Sequence, residues 1–480
     1  MPYEQNNALE TDLYQVAMAE AYAIGGESGR TAVFELFVRN LPPHRNYLLA
    51  AGQELALEYL EGLHFTEGQI DYLAKHAQFQ GTQHEGFRDM LRNFTFTGSV
   101  WAVPEGMPVF ANEPIMTVSA PLAQANFVET YLLSVINSQT MWASKASRIA
   151  DAAAPAVVTD FGTRRIDPDA AVKAARAAYI AGFIGTSNVE AGMRFGIPVF
   201  GTMAHSFVMS GDSMGPITEL ERFRKFAGVY PSHATLLIDT YKIEEGIHNA
   251  LKVAKEMRAR GIQLNGIRID SGDIAFWSDY AHKMFKSEGL PIKVTASNDL
   301  DEYEITKLTQ KGAKVDIYGV GTMFAMANSD APKGTGGVYK VAEVEVNSVM
   351  QGRMKKSDEK STYPWSKQVY YYLDAEGRRA YDEITLSSEE RPDGIPLLRQ
   401  VMRDGRRTAH ATTIAESRSL ADTEKGRLRA SLRGIADAAE PQRVVVSDRL
   451  QGAQAEAVRS IMDETLSNGR NANNKRTKTS

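Results

Sequence analysis

The chain of 480 residues contains no cysteine. That absence excludes disulfides, thiolate metal sites and a cysteine nucleophile; it fits a cytoplasmic enzyme without fixing the compartment. No run approaches the roughly 20 apolar residues that a membrane-spanning helix needs. The start, Met-Pro-Tyr-Glu-Gln-Asn-Asn, has neither a basic region nor an apolar stretch, so no signal peptide is expected. Positive charge is not in excess: 54 Lys and Arg stand against 59 Asp and Glu, a formal net charge of −5. This balance gives no support to nucleic-acid or membrane-surface binding, and neither partner is expected. There is no Walker loop and no nucleophile elbow. No tight His/His/carboxylate spacing marks a protein-held transition metal, so metal ligands are left open. No lysine of the Schiff-base kind ends a predicted strand; Lys242 comes nearest and lies beyond Tyr241.

What is present falls into distinct textures. Thr11 and Asp12 suit the first turn of a helix that Gly25 and Gly26 stop, with Leu13, Val16, Ala17 and Ala21 as its apolar stripe. Tyr14 lies one step off that stripe, where it either packs against a neighbour or meets a ligand or partner. Residues 32–39 read as a strand. Arg39 and Arg45 bracket the Pro42-Pro43 turn after it, placed to hold phosphate or to sit in solvent. Helices are expected over 50–63 and 67–77, strands over 94–103 and 109–118, and a long helical run over 122–153. Residues 1–150 thus read as a small α+β domain with a connecting helix.

From 151 to 338 short apolar runs alternate with helical segments. Seven predicted strands, at 156–160, 183–186, 197–200, 234–238, 266–269, 293–297 and 315–319, recur about every 15 to 35 residues, one strand–helix unit each. That repetition predicts an α/β fold, a closed parallel barrel of the TIM type, whose C-terminal strand ends form one functional face. Those ends carry Arg164, Ser187, His205, Asp239, Arg268, Asp270, Asn298 and Gly319, whereas His233 precedes its strand and belongs to the opposite, structural face. After about 338 the alternation stops. Residues 355–360 read as an exposed loop, 368–373 as a strand, 417–435 and 447–466 as helices, and 467–480 as a disordered tail.

His205 is the reactive candidate. Ile197 to Phe200 reads as a short buried strand that fixes position, and the turn after it exposes the imidazole. Alone, such a histidine more often merely hydrogen-bonds a backbone carbonyl; its place among the strand ends is what singles it out. Gly319-Val-Gly321-Thr322 offers backbone N–H groups to a phosphate at a late barrel loop. Arg268 and Asp270 set a cation beside a carboxylate, either to bind a carboxylate and a sugar hydroxyl or as a barrel-mouth ion pair. Together the residues suggest group transfer from a phosphorylated sugar.

Eight collinear motifs sharpen this. Thr11-Asp-Leu-Tyr-Gln, Phe34-Glu-Leu-Phe, Phe161-Gly-Thr-Arg-Arg165, Gly185-Thr-Ser-Asn188, Gly201-Thr-Met-Ala-His-Ser206, Ile238-Asp-Thr-Tyr241, Arg268-Ile-Asp-Ser-Gly-Asp273 and Tyr318-Gly-Val-Gly-Thr322 together resemble the nicotinate phosphoribosyltransferases, of the type II phosphoribosyltransferase family. The resemblance implies an irregular seven-stranded barrel plus a domain built from both chain ends, with 339–466 packing on 1–150. It implies that nicotinate and 5-phosphoribosyl 1-diphosphate give nicotinate mononucleotide and diphosphate, in NAD biosynthesis. It further implies that ATP hydrolysis is coupled through a phosphorylated His205, with Mg2+ accompanying diphosphate and ATP. It also implies a homodimer in which Tyr14 reaches the neighbouring subunit's site.

Carried over residue by residue, Tyr14 and Phe161 sandwich the pyridine ring and Arg268 pairs with its carboxylate. Thr202 and Ser206 add hydrogen bonds. Arg39, Arg164, Gly319, Gly321 and Thr322 hold phosphates, and Asp270 holds ribose hydroxyls. The nicotinamide enzymes, the closest alternative, have an aspartate where Ser187 sits; serine spares the acid a like-charge contact. Arg165 also points to the nicotinate enzymes. A barrel serving only binding or assembly is the alternative of another class, and it has no use for His205.

Overall fold

In this computed structural model residues 7–81, 84–211, 218–327, 335–355 and 362–460 are described. The apolar runs of the middle of the chain form a six-stranded sheet from Val157–Asp160, Gly185–Thr186, Thr235–Leu237, Gly266–Ile269, Lys293–Ser297 and Ile317–Val320. Its spatial order is 185–186, 157–160, 317–320, 293–297, 266–269, 235–237, and every neighbouring pair is parallel. Helices separate the strands in sequence, including Pro168–Ala181, Ile243–Arg258, Ile274–Ser287 and Glu302–Gln310. Strands covered on both faces need continuous apolar sequence, and Leu236, Leu237, Ile267, Ile269, Val294 and Ala296 are buried together.

The expected closed seven-stranded ring does not form among the described residues. Ile197–Phe200 is not a buried strand: only a single bridge joins it to the sheet, between Thr186 and Val199. Thr186 donates to the Pro198 carbonyl (3.0 Å) and accepts from the Phe200 N–H (2.8 Å). Pro198 has no N–H to give to a further neighbour, which confines the segment to an edge. Val199 and Phe200 are accordingly exposed while Ile197 is buried. The parallel sheet is therefore an arc with a gap between 197–200 and 235–237.

A second, seven-stranded sheet is wholly antiparallel and draws on both halves of the chain. Its order is Val349–Gly352, Gly337–Val346, Thr31–Val38, Pro114–Pro121, Ser99–Ala102, Arg399–Arg403, Arg406–Arg407. The predicted strand 94–103 pairs only from Ser99, and 109–118 divides into Pro108–Val109 and Pro114–Pro121. The predicted helical run 122–153 breaks at Val128 into Leu122–Phe127 and Glu129–Ala153. Residues 448–460 are helical; the rest of that predicted helix, the tail and most of the 355–360 loop lie outside the described residues. Among the described residues no helix is long and apolar enough to cross a membrane.

Glu129–Ala153 packs on both the strand Val157–Asp160 and the strand Gly337–Val346. Its buried charges are paired: Lys145 Nζ lies 2.8 Å and Arg148 Nε 3.1 Å from the Glu302 carboxylate. Arg45, read as solvated or phosphate-binding, is instead buried and turned to Glu302 at 3.5 Å. Burial alone raises the pKa of Glu302, but Lys145 and Arg45 hold it below the usual carboxylate range.

Candidate active site

The C-terminal ends of the parallel strands open on one cavity of about 270 Å3, lined by Phe161, Thr163, Arg164, Ser187, Thr202, His205, Arg268 and Asp270 among others. These residues arrive from five places: the loops after Val157–Asp160 and after Gly185–Thr186, the stretch following 197–200, and the ends of Thr235–Leu237 and Gly266–Ile269. The gap in the arc is spanned here by side chains. His205, first residue of the short helix His205–Met209 rather than part of a turn, sets Nδ1 3.1 Å from Thr240 Oγ1. Its Nε2 lies 3.6 Å from Asp270 Oδ2.

Arg268 is the centre of the polar network. Its Nε donates to Ser297 Oγ (2.8 Å), one Nη to Thr202 Oγ1 (3.2 Å) and the other to Asp270 Oδ1 (2.8 Å). The guanidinium carbon stands 5.3 Å from the centroid of the Phe161 ring. A planar cation held by three partners over an aromatic face presents a fixed surface to a flat anionic ring. Ser297 also donates to Asp270. Burial pushes the Asp270 pKa up, but Ser297, Arg268 and His205 outweigh it and hold the carboxyl below its ordinary value. Asp239 accepts from the Asp270 N–H (3.1 Å) and from Ser271 Oγ (2.6 Å), so it fixes the backbone that carries Asp270.

The floor is built by close approach. A Cβ on Gly319 would stand 2.3 Å from the Phe161 ring, so glycine there seats the ring whatever else its backbone does. Beneath it, buried Asp160 accepts from the Gly162 N–H (2.7 Å) and from Thr186 Oγ1 (2.7 Å), and its carbonyl accepts from the Ser187 N–H (2.8 Å). One residue thus ties the Phe161 loop to the Ser187 loop. Burial pushes its carboxyl up to about 6, against the lowering effect of those two hydrogen bonds.

Of the residues singled out from sequence, Phe161, Arg164, Ser187, Thr202, His205, Arg268 and Asp270 share the cavity. Gly321 and Thr322 lie just behind it, with the Gly321 backbone against the Phe161 carbonyl at the start of Thr322–Ala325. Ser206 is the next residue of the His205 helix, exposed and outside the lining. Tyr14 is half exposed on Leu13–Ile24, a helix that packs on Leu122–Phe127. Arg39 follows the strand Thr31–Val38 of the antiparallel sheet, its Nε buried without a hydrogen bond. His233 is exposed ahead of its strand, away from the cavity. Sequence reasoning did not single out Thr163, Ser297 or Asp160. Register could have found Ser297: Thr295 is paired with Arg268, and side chains two residues apart point the same way.

Residues 9–137 match the nicotinate phosphoribosyltransferase N-terminal domain model, and residues 156–362 match the nicotinate phosphoribosyltransferase family model. A nicotinate phosphoribosyltransferase of Mycobacterium tuberculosis is 40% identical over 451 residues, 93% of each chain. One of Bacillus subtilis is 43% identical, covering 80% of this chain and 77% of its own. The crystal structure of human nicotinic acid phosphoribosyltransferase superimposes with a TM-score of 0.79 at 27% identity, covering 93% of this chain and 99% of that one. A nicotinate-nucleotide pyrophosphorylase structure from Pyrococcus furiosus, 20% identical with a TM-score of 0.68, shares the fold. With both family models matched in order and full-length relatives at this identity, the chain belongs to the nicotinate phosphoribosyltransferase family.

Proposed function

We propose that the cavity joins nicotinate to 5-phosphoribosyl 1-diphosphate, and that the convergence of Arg268 and His205 on Asp270 above the Phe161 ring is the observation that carries this reading. The pyridine nitrogen has a free lone pair at neutral pH and needs no general base. It forms a bond to ribose C1 as the bond from C1 to the diphosphate oxygen breaks, and diphosphate leaves with the electron pair. The protein contributes orientation and charge placement. Arg268 meets the nicotinate carboxylate, Phe161 supports the ring, and Thr202 and Ser187 complete the acid's surroundings. Asp270, kept ionised, takes ribose hydroxyls; Arg164 lies on the same wall for phosphate.

ATP enters through His205. A ring nitrogen bonds to the γ-phosphorus, the bond from that phosphorus to the ADP oxygen breaks, and ADP leaves; water later releases the phosphoryl group as inorganic phosphate. The half-exposed ring fits that role, and its two nitrogens face Thr240 and Asp270, which hold the ring proton whichever nitrogen attacks. No cluster of three or more His, Asp or Glu that could hold a metal occurs among the described residues. Magnesium bound with diphosphate would supply charge neutralisation, and Asp270 is the carboxylate of the cavity that would hold it. A homodimer places Tyr14 over the partner's ring site. The exposed apolar residues Leu13 and Tyr14 on one helix, and Val189, Met193 and Phe200 beside the cavity, support such a contact.

The test is formation of nicotinate mononucleotide from nicotinate and 5-phosphoribosyl 1-diphosphate, stimulated by ATP; no product under those conditions overturns the reading. Labelled γ-phosphate is expected in an acid-labile, base-stable form, absent in His205→Ala. Ser187→Asp is expected to weaken nicotinate use; unchanged kinetics would refute the like-charge account of acid selectivity.

A further inference from the structure

Ser297 closes a ring of hydrogen bonds that the two halves of the cavity share. Its hydroxyl accepts from Arg268 Nε (2.8 Å) and donates to Asp270 Oδ1, and the same carboxylate oxygen accepts from Arg268 Nη2 (2.8 Å). A hydroxyl has one proton to give, so donation to Asp270 leaves only its lone pairs for Arg268, and the Nε–H is the matching donor. Each of the three bonds therefore has a fixed direction. Asp270 commits Oδ1 to this ring and keeps Oδ2 on the side of His205, 3.6 Å from Nε2. Arg268 commits Nε and Nη2 to it and keeps Nη1 for Thr202 (3.2 Å).

The backbone places Ser297 between the parts it joins. It is the last residue of the strand Lys293–Ser297, which lies between Gly266–Ile269, the strand of Arg268, and Ile317–Val320. In register it is paired with Gly319, the glycine that seats the Phe161 ring. Paired residues project to the same face of a sheet, so the Ser297 side chain stands beside the ring seat on one hand and the guanidinium on the other. It is 2% exposed and stands outside the cavity lining, so it acts through its neighbours and meets neither substrate.

We infer that Ser297 is a positioning residue that sets the sites of both substrates at once: through Arg268 it fixes the group that meets the nicotinate carboxylate, and through Asp270 the group that takes ribose hydroxyls. The inference rests on the reading of Arg268 and Asp270 in those two roles. With Nε held as well as both terminal nitrogens, the guanidinium has one orientation in which to meet a carboxylate. With the hydroxyl proton on Oδ1, the Asp270 carboxylate is held by two donors on one oxygen and cannot turn that oxygen toward the ligand. Removing one hydroxyl, remote from both ligands, therefore loosens two chemically different contacts together. Thr202 is the natural comparison. It too holds Arg268, but its hydroxyl gives its proton to the Met203 carbonyl (3.2 Å), not to Asp270.

The experiment measures the KM of each substrate, with the other saturating and ATP fixed, in wild type, Ser297→Ala and Thr202→Val. Ser297→Ala is expected to raise both KM values about tenfold, the loss of a hydrogen bond to each of two charged groups, whereas Thr202→Val raises that of nicotinate alone. The same Ser297→Ala change is then made in an Arg268→Ala enzyme. There it is expected to leave the nicotinate KM where Arg268→Ala puts it and still to raise that of 5-phosphoribosyl 1-diphosphate, because one of its two routes is gone. A merely loosened fold raises both constants in either background, so additive effects on the nicotinate KM overturn the inference. Wild-type constants in Ser297→Ala, or a rise in only one of them, overturn it as well, with the assignment of the cavity intact. If the wild-type enzyme forms no nicotinate mononucleotide, that assignment fails and the inference falls with it.

Discussion

Away from the cavity, charges are sealed. Lys367 Nζ meets Glu35 at 2.6 Å, Arg379 meets Asp382 at 2.6 Å and Arg176 meets Glu105 at 2.6 Å, each pair buried. At the C-terminal edge of the parallel sheet the same kinds of groups stay partly open: His205 is 39%, Asp270 25% and Arg268 15% exposed at the side chain. A buried pair consumes its charges in holding the chain together, whereas a half-open network leaves hydrogen-bonding capacity for a ligand. The architecture that confers this difference is parallel stranding, which brings successive strand ends to one edge.

The contrast can be broken from either side. The largest effect is expected on the sealed side. Glu302→Ala strands Lys145 and Arg148, and unfolding should become easier by about 3–5 kcal/mol in denaturant titration. If stability is unchanged, those charges are not the structural fixture described above. On the open side, Arg268→Ala is expected to cost about 100-fold in kcat/KM for nicotinate, the loss of a charge-assisted pair, while the thermal midpoint moves little. A large fall in thermal midpoint would place Arg268 with the sealed charges instead. Gly319→Ala drives a methyl into the Phe161 ring and should raise the nicotinate KM about tenfold; a wild-type KM would show that the ring has room to move.

The smallest effect sharpens the boundary between the two regions, because Asp160 is buried yet serves the site. Its carboxyl, pushed up to about 6 from an ordinary 3.8, holds a proton in the folded chain that the unfolded chain has lost between those values. That contribution to stability is present at low pH and declines as pH rises through about 6. Function has the opposite sense. Protonation removes an acceptor from Gly162 or Thr186, so the nicotinate KM is expected to rise a few-fold as pH falls through about 6, and Asp160→Asn should flatten that dependence. An unchanged profile in the variant would remove Asp160 from the account.

Much of the site was legible in sequence because strand ends recur with the strand–helix period, and Phe161, Ser187, Thr202, His205, Arg268 and Asp270 all sit at such ends. For Phe161, Ser187, Arg268 and Asp270 that convergence follows from parallel pairing, whereas Thr202 and His205 arrive from a segment joined to the sheet by one bridge. Arg45 was misread because an arginine in a turn looks the same whether water or Glu302 awaits it. Ser297 and Asp160 were passed over because their importance lies in which neighbour's register they meet. The short buried strand expected at Ile197–Phe200 is instead held at an edge by a single bridge, because Pro198 has no N–H to give a further neighbour.

The sequence by itself determined the alternation of strand and helix, the absence of thiol chemistry and the order in which the reactive residues occur, since these depend on local periodicity and residue type. Only the tertiary structure decided that the arc stays open beside 197–200, that Gly319 accommodates an aromatic ring, and which charges are sealed and which left available. Those outcomes depend on distances between residues far apart in the chain, and periodicity carries no record of them.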